Sequence, residues 1–306
     1  MFKYSNSNKR YHTLDYYYKT KYNGKVFKIT LNQNVTCPNI DGTKSFGGCI
    51  YCKNGSGENK DLSLKEQFIK NKEILKRKWP KANKYIAYFQ ANSNTYGNLD
   101  KIKKNLNEVL NYEGVIGINI ATRVDCIDDT VIKMLNEINK KTDLIVELGL
   151  QTSNDKTLKI LNTCYTKKDV DKAIDLLNKN NIKIVLHIIN GLPYETEKDM
   201  INTIKYVNSK NIVGIKIHML HILKDTNLLK LWQEKPFKVL TKEEYVNIVV
   251  KQLELLRPEI VINRITGDPK IEDLVEPIWL TKKFCVLNEI DKKMKELDTY
   301  QGKLIQ

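Results

Sequence analysis

The chain has no long apolar run. Nothing in its 306 residues approaches the ~20 consecutive apolar residues that a bilayer-spanning helix needs. Its first 25 residues, MFKYSNSNKRYHTLDYYYKTKYNGK, lack the apolar centre of a secretory leader. Glycine and proline are sparse, at 14 and 7, and form no tract, which excludes a fibrous repeat or a low-complexity linker. Arginine is scarce too (Arg10, Arg77, Arg123, Arg257, Arg264), so the basic character rests on lysine. With six cysteines and no leader, the expected setting is the cytoplasm, away from membranes, with thiols free or bound to metal.

What is present suffices for a core: 41% of residues are hydrophobic, and the length allows one large or two modest domains. Lys and Arg number 51 against 36 acids, a formal charge of +15, which suits an acidic partner such as nucleic acid. A lysine-rich compositional bias would produce the same number. The excess concentrates in residues 1–28, where Lys3, Lys9, Arg10, Lys19, Lys21, Lys25 and Lys28 face one acid, Asp15. Tyr4, Tyr11, Tyr16, Tyr17, Tyr18 and Tyr22 are interleaved with them. Cations on phosphates and rings on bases are what loop or single-stranded RNA requires. The alternative is an arm that packs its tyrosines on the body of the protein.

Short apolar runs at 26–32, 86–89, 115–121, 144–150, 182–189 and 213–223 predict six strands. Between them, helices are expected over 63–78 (Ser63 and Glu66 form a capping box), 99–111, 129–140, 154–161, 167–180 and up to about 209. Near-continuously apolar strands alternating with helices mean a parallel sheet covered by helices, either an incomplete barrel or an open sheet. A helix opened by Thr241 and Glu244, a strand at 259–263 and a Lys-rich helix at 283–297 complete the chain.

Three of the six cysteines, Cys37, Cys49 and Cys52, fall in CPNIDGTKSFGGCIYC, directly after the first strand. The C-terminal ends of parallel strands are where such folds place their chemistry. A structural zinc site wants four protein ligands, whereas a [4Fe–4S] cluster can be held by three thiolates with one iron left open. Gly47 and Gly48 permit tight turns around a bulky group. Arg123 and Asp125 end the third strand, as a carboxylate or phosphate clamp or as a salt bridge with each other. His218 and His221 would point to opposite faces of a regular strand. Cys126, Cys164 and Cys285 read as ordinary thiols.

The three-cysteine loop, Tyr51 before the last cysteine and the six β/α units together resemble the radical S-adenosylmethionine (SAM) superfamily. The spacing is C-x11-C-x2-C, closer to the Elongator catalytic subunit than to the commonest C-x3-C-x2-C. The finer resemblance is to the YhcC/YtqA-like branch. It is carried by the cysteine loop with YFQANSNTY, ATRVDCI, ELGLQT, INGLPYETE, GIKIHMLHILKDT and RITGDPK. Val124 stands where that branch usually has proline, and Asn162-Thr163-Cys164-Tyr165 where it has an Arg-Gly-His-like stretch.

The resemblance implies an α/β fold, a partial (β/α)6 TIM-type barrel over residues 26–230, with a basic Tyr-rich arm (1–25) and a C-terminal α/β extension (231–306) packed on the core. It implies a [4Fe–4S] cluster on Cys37, Cys49 and Cys52, with SAM as the second cofactor. Gln90, Asn92 and Asn94 stand where the superfamily usually binds the SAM amino group, and Glu147 and Gln151 are suited to the ribose hydroxyls. Arg123, Asp125 and His218 are the candidate catalytic groups. The branch resembles a tRNA enzyme that converts the carboxymethylaminomethyl group on C5 of the wobble uridine to aminomethyl, which implies tRNA and an electron donor such as flavodoxin or ferredoxin as partners. The alternatives are a radical SAM enzyme with a small-molecule or porphyrin-like substrate, and a noncatalytic Fe–S or zinc RNA-binding protein.

Overall fold

A computed structural model describes residues 2–53 and 60–305; residues 54–59, at the end of the expected cysteine-rich loop, lie outside the described residues. In chain order the elements are α1 (Leu14–Tyr22), β1 (Phe27–Leu31), α2 (Leu64–Lys78), β2 (Tyr85–Phe89), α3 (Leu99–Val109), β3 (Val115–Thr122) and α4 (Asp129–Asn139). There follow β4 (Asp143–Gln151), α5 (Asp155–Ile160), α6 (Lys167–Lys179), β5 (Lys183–Asn190), α7 (Glu197–Asn208), β6 (Gly214–Met219) and β7 (Ile222–Leu223). The chain ends with α8 (Asn227–Glu234), α9 (Lys242–Leu255), β8 (Val261–Arg264), β9 (Leu274–Glu276) and α10 (Lys283–Glu296). Among the described residues no helix is long and apolar enough to cross a membrane.

Seven strands form one parallel sheet in the order β1-β2-β3-β4-β5-β6-β8, the curled half-barrel that the alternation of strands and helices predicts. The seventh strand, β8, comes from the segment after residue 230 and pairs with β6 at the sheet edge. Helix starts follow the sequence closely, because a side-chain oxygen must satisfy the first backbone N–H groups. Ser63 with Glu66, Thr166 with Asp169, Thr196 with Asp199 and Thr241 with Glu244 each close a reciprocal capping box.

Alternation along the strands sorts side chains into two environments. Ile29, Ala87, Phe89, Ile118, Ile120, Val146, Leu148, Leu186 and Ile215 face the helices in one buried core. The intervening positions carry Lys28, Tyr88, Asn119, Glu147, His187 and Lys216, which meet one another in the concave lumen.

One expectation needs correction, and one open alternative is resolved. The apolar run 213–223 is not one strand. β6 ends at Met219, where the Leu220 N–H turns to the Asn190 carbonyl at 2.9 Å, and β7 pairs antiparallel with β9 in a separate sheet. Of the two readings of the basic N-terminal segment, the structure shows the one in which it packs on the body of the protein. Residues 14–22 form α1, capped by Thr13, and Tyr11 and Tyr18 are buried. Tyr4 stacks on His12 with ring centroids 4.6 Å apart. Lys9 pairs with Asp291, Arg10 with Asp298, and Lys21 and Tyr22 both reach Asp143 on β4. The Ile262 N–H of β8 donates to the His12 carbonyl, so this segment also covers an edge strand that would otherwise offer open hydrogen-bonding groups.

Candidate active site

The cysteine loop leaves β1 and folds back on itself. The Cys37 carbonyl accepts from the N–H groups of Ile40 and Asp41, Asp41 bridges to Phe46, and the Gly48 N–H returns to the Asn39 carbonyl at 2.7 Å. The eleven residues between Cys37 and Cys49 are therefore a closed excursion whose two ends are tied by backbone hydrogen bonds. Gly47 and Gly48 take φ of 77° and 79°, left-handed values that favour glycine, and a Cβ on Gly48 would sit 3.2 Å from Ile40. The Cys52 N–H closes a turn onto the Cys49 carbonyl.

Two polar groups are aimed at the middle thiol. Asn39 Nδ2 lies 3.5 Å from Cys49 Sγ, and Arg123 Nη1 lies 3.9 Å from it. Burial pushes the Cys49 thiol up to about 11, with Arg123 opposing. Cys37, Cys49 and Cys52 are half-buried, whereas Cys126 is buried. Among the described residues no three His, Cys, Asp or Glu side chains are arranged to hold a metal ion. The donor set nonetheless fits an iron–sulfur cluster by its chemistry: three soft thiols on one loop, with N–H donors directed at sulfur, which is how proteins tune such clusters.

The residues expected to touch SAM separate. Gln90 is exposed, with no hydrogen bond among the described residues. Asn92 sits at φ 59° and donates to the Val35 carbonyl at 2.8 Å. Asn94 is fully buried: its Nδ2 faces the carbonyls of Phe89, Ala91 and Ala121, and its Oδ1 accepts from Gln33. Its polar atoms are spent on shaping the loop, and none is left for an amino group. Gln151, at φ 65°, bonds the Tyr165 hydroxyl, which donates to the Gly149 carbonyl.

Arg123 takes the salt-bridge alternative. Its Nε and Nη2 clasp the two Asp125 oxygens at 2.9 and 2.8 Å, and Nη2 also donates to the Thr163 carbonyl. The guanidinium lies over the Tyr165 ring at 5.1 Å, and Asp125 is shared with Lys44. The pair ties the end of β3 to the cysteine loop and to the 162–165 turn. Asn162 secures that turn through Ser45 and the Gly48 carbonyl, and Cys164 stands exposed beside it at φ 61°.

Glu147 is fully partnered within the chain. Its Oε1 accepts from Lys28 and Asn119, both at 2.8 Å, and its Oε2 from Tyr88 at 2.9 Å, His187 at 2.8 Å and Lys216. Five donors exceed the roughly four lone-pair sites of a carboxylate, so none remains for a ribose. Burial opposes its ionisation, but Lys28 and Lys216 outweigh that and hold its pKa well below the usual range. Burial pushes Lys216 down to about 8 and His187 down to about 4. His218 also stands in the lumen, its ring centroid 5.3 Å from that of His187, and burial holds it neutral. Sequence reasoning passed over Lys28, Tyr88, Asn119, Lys216 and Arg264. The available signal was a polar residue interrupting each otherwise apolar strand.

The family model described as the Radical SAM superfamily matches residues 44–207, and the Radical_SAM C-terminal domain model matches residues 212–296. YtqA of Bacillus subtilis (strain 168) is 41% identical over 309 residues, covering 100% of this chain and 96% of that protein. A tRNA uridine(34) acetyltransferase of Methanocaldococcus infernus is 26% identical over 157 residues, 50% of this chain and 29% of that one. Among solved structures, the archaeal Methanocaldococcus infernus Elp3 with an N-terminal deletion superposes with a TM-score of 0.68 at 17% identity, covering 90% of this chain and 64% of the other. The half-barrel, the three-thiol loop at its mouth and these matches agree: the chain belongs to the radical SAM superfamily.

Proposed function

We propose that this radical SAM enzyme modifies tRNA, converting the carboxymethylaminomethyl group on C5 of the wobble uridine to aminomethyl. The observation that carries the reading is a three-thiol loop at the mouth of a half-barrel whose lumen gathers lysines around one glutamate. The half-chain similarity to an enzyme named for uridine 34 of tRNA supports RNA as the substrate class. Cys37, Cys49 and Cys52 would hold the cluster, with Asn39 and Arg123 directed at the Cys49 sulfur. When bound, the cluster and SAM supply one-electron chemistry that ends in hydrogen abstraction from carbon; a flavodoxin or ferredoxin would deliver the electron. The chain's own residues seal the surroundings: α1 closes the lower end of the lumen through Tyr18 and the Asp143 contacts, which keeps water from a reactive centre.

The experiment is mass spectrometry of nucleosides from tRNA of a strain lacking this chain. Carboxymethylaminomethyluridine should accumulate and its aminomethyl descendants vanish. Unchanged wobble uridines would overturn the assignment.

A further inference from the structure

We infer that the lumen contains an anion subsite, in which Lys28 and Lys216, balanced among the described residues only by Glu147, and Arg264 at the rim take the carboxylate of the substrate's carboxymethyl group. The inference deepens the proposed function and rests on it for the identity of the substrate.

The charges do not balance inside the lumen. Lys28 and Lys216 share the single carboxylate of Glu147. Buried ion pairs are stable when each charge is matched, and an unmatched buried cation is costly. Arg264, exposed at the end of β8, pairs with Lys216 after a register shift and so stands at the open rim of the lumen on the same side of the sheet. Its charge is felt at Tyr88, Lys216 and His218, yet its guanidinium makes no hydrogen bond or salt bridge among the described residues. An unpaired guanidinium beside two lysines is a fork suited to two carboxylate oxygens. The depressed Lys216 fits this view, since a further anion nearby would restore its ordinary proton affinity.

Two neutral groups complete the surroundings. His218 has no hydrogen-bond partner among the described residues, so its ring can donate one N–H. Asn119 is 1% exposed, and its Nδ2 must face the Glu147 carboxylate, which fixes the amide orientation. That leaves its Oδ1 as a buried acceptor with no donor. A ligand that carries an N–H next to its carboxylate, as a glycine-like unit does, answers both needs. A lumen built only for rigidity would pair these groups internally.

The test uses the reconstituted full chain and two anticodon stem-loop RNAs. One bears carboxymethylaminomethyluridine at the wobble position and the other its neutral carboxamide. The wild type should bind the carboxylate form about tenfold more tightly, the range expected for one charge-assisted contact. Arg264→Gln should erase that preference while still binding the carboxamide RNA, and Arg264→Lys should restore part of it. Equal binding of both RNAs by the wild type overturns the subsite and leaves the RNA reading standing. An equal loss for both RNAs in Arg264→Gln means a backbone phosphate contact and overturns the carboxylate assignment.

If neither RNA binds, the RNA reading itself fails, and a second arm judges the subsite alone. The chain has four histidines, so its 15N-labelled imidazole spectrum is simple to assign. Acetate, against chloride at matched ionic strength, should move the His187 and His218 resonances in the wild type but not in Arg264→Gln. Silent resonances in the wild type overturn the subsite.

Discussion

At the scale of single residues, the same side-chain chemistry serves different ends according to whether it is matched. Arg123 is 9% exposed and fully engaged by Asp125 and Thr163, so it acts as a fastener of the cysteine loop. Arg123→Leu leaves Asp125 buried with only Lys44, and should lower stability by about 3 kcal/mol, read from the urea midpoint. Cys49→Ala should leave that midpoint nearly unchanged yet abolish iron retention after reconstitution, measured as iron per chain; full iron retention would remove Cys49 from the ligand set. Lys216 allows a pH prediction. Its proton affinity is depressed to about 8, so its charge is present below that pH and lost above it. The groups facing it are Glu147, Lys28, Tyr88, His187, His218 and Arg264. Glu147 is ionised and both histidines neutral throughout, because their affinities lie far lower, and burial raises Tyr88 well above its ordinary value. Affinity for a carboxylate-bearing ligand should therefore hold from pH 6 to 7.5 and fall through pH 8 to 9.

At the scale of elements, what was legible was local. The capping boxes at Ser63 and Thr241 mark helix starts within four residues of chain, and the cysteine loop is a single contiguous segment. The break after Met219 was not legible, since GIKIHMLHIL is apolar across it; the last rung of β6 goes to Asn190, 30 residues away, and the chain beyond it pairs with β9 instead. The lumen network was equally hidden, because its members come from separate strands and look in sequence like isolated polar interruptions. Glu147 and His218 stood out, and the partners of Glu147 decide its role. Helix α1 is another tertiary result: basic and tyrosine-rich, it is held by Asp143, which Lys21, Tyr22 and Lys183 all contact. Burial works against that carboxylate, but Lys183, Lys21 and Tyr22 outweigh it and hold its pKa below the usual value. Its stabilisation is thus present above the ordinary carboxylate range and is lost as acid protonates it. Asp143→Asn should cost about 2 kcal/mol near neutral pH, and the deficit should shrink towards pH 3, as followed by thermal melting at each pH.

At the scale of the whole molecule, the +15 charge changes meaning. Several cations of the N-terminal segment are neutralised by acids of the body, so that segment is not a ready electrostatic arm for RNA. The chemically telling excess is the small one inside the half-barrel, where the low dielectric magnifies each unmatched charge. The fastening of the N-terminal segment also bears on how the chain comes to be made. The His12 N–H binds the Gln301 side chain across 289 residues, and the Gln301 N–H returns to the Arg10 carbonyl. Those first residues leave the ribosome long before their partners exist. They must wait, unpaired and tyrosine-rich, until Gln301 has been added 289 residues later, so the turn that follows α10 acts as a latch that closes late in folding.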